Sequence, residues 1–399
     1  MSYIAAISII AFIFFSTQFF GYAYWNPTYA GWCSYFIYAF IIAFVYSHKN
    51  KLQTIYAPFK SIAWGLLFLS LLGMVVRQVI YPGFSLYEER HYIFPVATFL
   101  FYYIYYICGC REQDITRIFL FISLCIFCIQ IFQIAFPEKA VFGIYDEELR
   151  GSRKAIAEIR NGIYRFRIPG YFFTLFCIYY YWNKLLLRIT QKDVLIFSIL
   201  LASMYLYLTR QIMFATFFTL TCSFLFIKNS SFKVKSIAVI IACGLIGLYF
   251  ASDLFGEFYK STLQEANTGN IRWVATRFYW EKICSSPFTF LFGNGHPQSL
   301  QKWKELGLHP SDIGFIGEIF YHGALWILFY FYTVYLIIIK YGRMLPLYIR
   351  LFVFGTFIDS IMIFPYRSAK EYLVWVSMLY IASLYIGKYQ TDLLKKQLK

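Results

Sequence analysis

Arginine, glycine and histidine gather in one stretch of this chain, where NIRWVATRFYWEKICSSPFTFLFGNGHP leads, after a polar bridge, into LHPSDIGFIGEIFYHG. Arg272 and Arg277 carry fixed planar charges of the kind that grip phosphate oxygens with paired hydrogen bonds. His309 stands at the mouth of the apolar run that follows Asp312, where an imidazole takes up a proton near neutral pH. Between them, Phe292-Gly293-Asn294-Gly295-His296-Pro297 is a turn that needs glycine's access to positive φ, and its backbone N–H groups at Gly293 and Gly295 are suited to meet an anion. These residue types point to anion binding beside a proton acceptor. Each also has a plainer reading: an interfacial helix with snorkelling arginines and a tryptophan belt, an ordinary interhelical turn, and a structural histidine at a membrane boundary.

Arg210 adds a charge of another kind. It sits in YLYLTRQIMF between two short apolar runs with almost no other polar residue nearby. An arginine at that depth costs about 2.5 to 3.5 kcal/mol on insertion scales, so it belongs toward an interior or a cavity. Arg77 and Asp359 raise the same argument more weakly, and Asp359 is expected to pair with a cation inside the bundle.

The elements that position these residues follow from composition. The chain is 60% hydrophobic, 23% aromatic and 14% charged, with a mean hydropathy of +0.58. Soluble domains average about 45 to 50% apolar and about 25% charged. The expected fold is all-α, a polytopic integral membrane helix bundle forming a single domain over residues 1–399. A bilayer core of about 30 Å takes roughly 20 apolar residues per helix. About twelve such runs lie near 3–24, 28–47, 61–81, 92–109, 116–136, 169–187, 193–209, 211–227, 234–252, 313–339, 345–364 and 371–387. Runs this long and unbroken exclude a β-barrel. The first reads as a retained helix, having neither a basic start nor a small-residue cleavage site.

Basic residues crowd one set of short loops, from Lys49, Lys51 and Lys60 to Lys340, Arg343, Arg350 and the tail lysines, which puts both termini in the cytoplasm. Two long segments then fall outside: 138–168, with Arg160, Arg165 and Arg167, and 253–312, with Arg272, Arg277 and His309. Loops beyond about 12 to 15 residues are usually functional or disordered, and the aromatic content here argues for order. A helix is expected over Asn270 to Cys284, capped by Thr268 or Asn270 and limited by Pro287, with Ile271, Val274, Ala275 and Phe278 on its apolar side. Ser311 or Asp312 is expected to cap the next helix, which Pro310 stiffens.

The net charge of +16 is spread between apolar runs, which favours anionic lipids and an anionic substrate over nucleic acid. Of nine cysteines, only Cys284 falls in a polar loop. Cys125 and Cys128 form a CxxC inside an apolar run with no second ligand pair, so neither a metal nor a disulfide is expected.

In order and placement these motifs resemble the shared region of bacterial O-antigen polymerases and O-antigen ligases. Leu208-Thr209-Arg210 closes an outer turn, then come R-x-x-x-x-R-x-x-W (Arg272, Arg277, Trp280), P-x-x-x-x-F-G-N-G from Pro287, and His309-Pro310 ahead of G-E-I-F-Y-H-G. The likeness covers roughly residues 208–326; Thr209-Arg210-Gln211 stands for a Ser-Arg-Gly-like turn, and His309-Pro310 for a His-Asn pair. It implies an inner-membrane glycosyltransferase with a large periplasmic loop. Its substrate would be a glycan on undecaprenyl pyrophosphate, transferred to a sugar hydroxyl of another lipid-linked unit by a polymerase or of lipid A core by a ligase. Cleavage of the sugar–pyrophosphate bond supplies the energy, so no cofactor or metal is expected, and no Walker-type loop or Asp-x-Asp pair occurs. Arg210 and Arg277, with Arg272, Arg160, Arg165 and Arg167, would hold the leaving pyrophosphate; His309 would be the base, and Asp312 the second choice. The implied partners are the lipid-linked oligosaccharide, the bilayer, a chain-length regulator and a flippase. A rival of another class is a lipid-linked oligosaccharide flippase; the concentration of polar residues in the outer second half favours the enzyme.

Overall fold

The computed structural model describes residues 3–16, 27–53, 57–80, 96–136, 157–160, 163–166, 170–207, 210–227, 241, 244, 271–297, 299–361 and 369–397. In chain order the helices are α1 (Tyr3–Ser16), α2 (Pro27–Ser47), α3 (Lys49–Gln53), α4 (Lys60–Ile80), α5 (Phe101–Ile107), α6 (Glu112–Ala135), α7 (Tyr171–Leu187), α8 (Gln191–Leu206) and α9 (Arg210–Phe226). There follow α10 (Ile271–Ile283), α11 (Pro287–Phe292), α12 (Leu300–Glu305), α13 (Gly314–His322), α14 (Ala324–Tyr335), α15 (Leu347–Ser360) and α16 (Ala369–Gln397). Among the described residues the regular elements are helices, apart from one hairpin.

Helix α4 shows why these sequences form helices that bury only one stripe. Ile62, Ala63, Leu66, Ser70, Gly73 and Arg77 recur every three to four residues and are buried, while Trp64, Phe68, Val75 and Val79 are exposed. Both sides are thus largely apolar, which a helix facing water on one side does not show. Helices α4 and α6, of 21 and 24 residues, are the two described helices long and apolar enough to cross a membrane. Shorter apolar helical stretches span Tyr35–Ser47, Thr98–Ile107, Gln211–Phe226 and Ala324–Lys340. The expected run 234–252 lies almost wholly outside the described residues.

Helix α7 sits centrally and meets its neighbours through rings. Phe173 lies 5.0 Å from Phe119 of α6, Phe176 lies 5.6 Å from Phe352 of α15, and Trp182 stacks on Phe197 of α8 at 5.6 Å. Hydrogen bonds fix the pairings where apolar contact alone does not discriminate. Gln130 Nε2 donates to Ser203 O at 3.2 Å and Ser203 Oγ to Gln130 Oε1 at 2.8 Å, tying α6 to α8. On α16, Ser377 and Ser383 meet the hydroxyls of Tyr105 and Tyr102 at 2.7 and 2.8 Å.

Three expectations are corrected. The run 313–339 is two helices, α13 and α14, broken at Gly323, which has a φ of +86°. The last run continues into the tail, so that α16 is 29 residues long, because Leu, Lys and Gln in TDLLKKQ are good helix formers. The first long segment holds strands β1 (Ala157–Arg160) and β2 (Ile163–Phe166), paired antiparallel with Glu158 opposite Arg165 and Arg160 opposite Ile163.

Residues 271–322 enclose a small apolar core of their own, formed by Ala275, Tyr279, Ile283, Leu300, Leu308, Ile313, Phe320 and Tyr321. This core positions the candidate site.

Candidate functional site

Tyr279 fixes the orientation of α10. Its hydroxyl donates to Leu308 O at 2.8 Å and its ring lies 4.6 Å from that of Phe320. Burial pushes the phenol up, so it stays a donor at physiological pH. Ala275, Tyr279 and Ile283 therefore form the buried side, while Ile271 and Val274 are exposed, contrary to the apolar side expected from spacing. A phenol that must reach a carbonyl outweighs the aliphatic pattern.

This orientation separates the two arginines. Successive residues of a helix turn by about 100°, so Arg272, seven positions before Tyr279, lies on the same side, although it is exposed. Arg277 lies almost opposite. Its side chain is 86% exposed, and its Nε approaches Glu281 Oε1 at 3.3 Å. The two candidate arginines thus project from different sides of α10.

The glycine turn is also not an anion cradle. Gly293 N donates to Thr289 O at 2.9 Å, Asn294 N to Phe320 O at 2.6 Å and Gly295 N to Tyr321 O at 3.2 Å. These N–H groups are spent on the neighbouring helix ends, so Gly293 and Gly295 serve as a staple. Gly293 has a φ of +77°, and a Cβ there would stand 2.5 Å from Tyr321 O and 2.7 Å from Gly323 N. A Cβ on Gly323 would overlap Leu291 O in turn. Arg77, buried in α4, donates from Nη1 to Phe292 O at 2.5 Å and so ties this staple to the bundle.

His309 and Asp312 flank a short 3-10 turn, Pro310–Asp312, and both are exposed. Asp312 N donates to His309 O at 3.1 Å, and Ser311 Oγ donates to Asp312 Oδ1 at 2.9 Å. Neither Ser311 nor Asp312 caps α13; its N-cap is Ile313 without a side-chain cap. The start of α13, just after the turn, rests on the end of α15: Gly314 has a φ of +54°, and a Cβ there would overlap Ile361 O and stand 2.7 Å from Ser360 O.

The same end of α15 receives the start of α9, where Gln211 Nε2 donates to Asp359 O at 3.1 Å. Thus the backbone at Arg210, the carboxylate-bearing end of α15, and the His309–Asp312 turn meet at one end of the bundle. The Arg210 side chain and Arg167 lie outside the described residues, as do the side chains of Arg160 and Arg165. By register Arg160 and Arg165 share one face of the hairpin, whose β2 packs on α6.

One polar feature was missed from sequence. Glu318 Oε2 lies 3.5 Å from His322 Nε2, with side chains 1% and 7% exposed, and His322 stacks on Trp326 at 5.1 Å. The four-residue spacing of Glu and His in GEIFYHG was the available signal. Asp359, which the sequence singles out as the partner of a cation, is 2% exposed and forms no ion pair among the described residues. Among the described residues no cluster of three His, Cys, Asp or Glu side chains could hold a metal.

No protein-family model, no curated protein and no solved structure matches the chain.

Proposed function

We propose that the chain is a polytopic glycosyltransferase of the bacterial inner membrane that polymerises O-antigen, capsular or exopolysaccharide repeat units at the periplasmic face. In this reading about twelve helices cross the membrane, both termini are cytoplasmic, and segments 138–168 and 253–312 roof an outward-facing site. The observation that carries it is the meeting of three chain segments at one end of the bundle: the start of α9 at Arg210, the end of α15, and the His309–Asp312 turn. In this reading Arg272, on the Tyr279 side of α10, supplies a second fixed charge.

The chemistry then balances without a cofactor. An acceptor sugar hydroxyl attacks the anomeric carbon of a glycan on polyprenyl pyrophosphate, the C–O bond to pyrophosphate breaks, and the bonding pair leaves with it. Attack from the face opposite the leaving group inverts the anomeric centre. His309 takes the hydroxyl proton, with Asp312 beside it as the second acceptor. Arg210 and Arg272 stabilise the developing pyrophosphate charge, supported by Arg160, Arg165 and Arg167 of the first loop. Arg277, paired with Glu281 in the open, has no part in this step.

Deletion of the gene followed by gel analysis of surface glycan tests the reading. A polymerase leaves single-repeat glycan on the surface. Repeats stranded on the lipid carrier would make the enzyme a ligase, and an unchanged glycan ladder would refute both.

A further inference from the structure

The buried carboxylate of Asp359 stands among hydroxyls that share its lack of partners. Neither of its oxygens, nor the Tyr179 hydroxyl, nor Thr219 Oγ1, makes a hydrogen bond, although Asp359 is 2% exposed and the other two residues are fully buried. They converge from three helices. A Cβ on Gly355, one turn before Asp359, would overlap the Tyr179 hydroxyl and stand 3.0 Å from Thr219 Oγ1. Among the described residues, the ionisable groups near the carboxylate are the phenols of Tyr179 and Tyr330. Tyr330 is engaged with Ser360 Oγ at 3.0 Å, and the Gln211 amide is spent on the Asp359 main-chain oxygen.

A buried carboxylate with no partner is far costlier than a buried pair, so its charge must be balanced within the protein. Among the described residues no basic side chain hydrogen-bonds to it. Nearby hydroxyls turn lone pairs inward: Thr216 Oγ1 donates to Ile212 O at 2.7 Å and Ser360 Oγ to Thr356 O at 2.6 Å, which uses up their protons. One carboxylate among neutral oxygens suits a hard, singly charged ion; a divalent metal would keep a surplus charge.

We propose that Asp359, Tyr179 and Thr219 form a buried site for sodium, which joins α7, α9 and α15. The proposal does not rest on the glycosyl-transfer reading, and its test reads binding instead of activity. The full-length protein in nanodiscs is melted in sodium chloride and in choline chloride at equal ionic strength, over a range of pH. If sodium occupies the site, the wild-type midpoint rises saturably by a few degrees with sodium, as mass action requires of a ligand held only by the folded state. Thr219→Val then needs more sodium for the same rise, and Asp359→Asn, which keeps the shape without the charge, loses the response while still eluting as a folded monodisperse species. A wild-type midpoint that ignores sodium but rises as pH falls, with that dependence lost in Asp359→Asn, means that the carboxyl is simply protonated and overturns the proposal. Equal responses of wild type and Asp359→Asn to both sodium and pH overturn the proposal.

Discussion

Replacing Gly293 with alanine puts a methyl group where the chain has no room for one. With φ at +77°, an L-residue costs about 1 to 2 kcal/mol in the left-handed region. The new Cβ would stand 2.5 Å from Tyr321 O and 2.7 Å from Gly323 N, so the two backbones must part. Parting them breaks the bonds from Asn294 N to Phe320 O and from Gly295 N to Tyr321 O, each contributing about 1 kcal/mol net. The total, about 3 to 4 kcal/mol, changes the ratio of docked to undocked roof by more than two orders of magnitude. Hydrogen exchange of the amides at 294 and 295, in the protein held in nanodiscs, reads that ratio directly. Gly293→Ala should accelerate their exchange at least a hundredfold while leaving the amides of α7 and α15 protected. Unchanged exchange at 294 and 295 would refute the staple and restore the turn as a free set of N–H donors.

Arg77→Met keeps the apolar stem but removes the donor to Phe292 O, a charged hydrogen bond worth about 1.5 to 3 kcal/mol, and should accelerate the same two amides. Tyr279→Phe keeps the ring against Phe320 but leaves Leu308 O without its donor; a loss of about 1 to 3 kcal/mol should appear as faster exchange through α10 and the 308–312 turn. Arg277→Ala removes only a solvent-exposed pair with Glu281, so stability should fall by less than about 0.5 kcal/mol and polymer should remain normal in gel analysis.

Much of this arrangement is legible in the sequence, and the exceptions share a cause. The boundaries of α8 and α9, the helix after Asn270 and the turn at Gly293 follow from apolar runs and breakers. The role of Arg77 does not, because its partner lies 215 residues away and nothing local marks it. The break at Gly323 is hidden for the same reason, since the collision that requires glycine comes from Leu291. Orientation within α10 was misread because four aliphatic and aromatic residues at helical spacing describe a side without saying whether protein lies on it; the hydrogen bond of Tyr279 decides that. In chains apolar on every side, pattern loses its power to tell a core from an outer surface. Polar atoms that must find partners carry the information instead, as Gln130 with Ser203 shows.

The central claim is that the end of the bundle holding Arg210, Arg272 and His309 transfers a glycan from lipid pyrophosphate. Purified protein reconstituted with a polyprenyl-pyrophosphate-linked repeat unit tests it most directly, by following the release of the pyrophosphate-bearing lipid and the lengthening of the glycan together. The account predicts both products with wild type, and losses of at least a hundredfold with Arg210→Ala and His309→Gln at unchanged protein level. Wild-type protein that yields neither product, or variants that keep the wild-type rate, would contradict it.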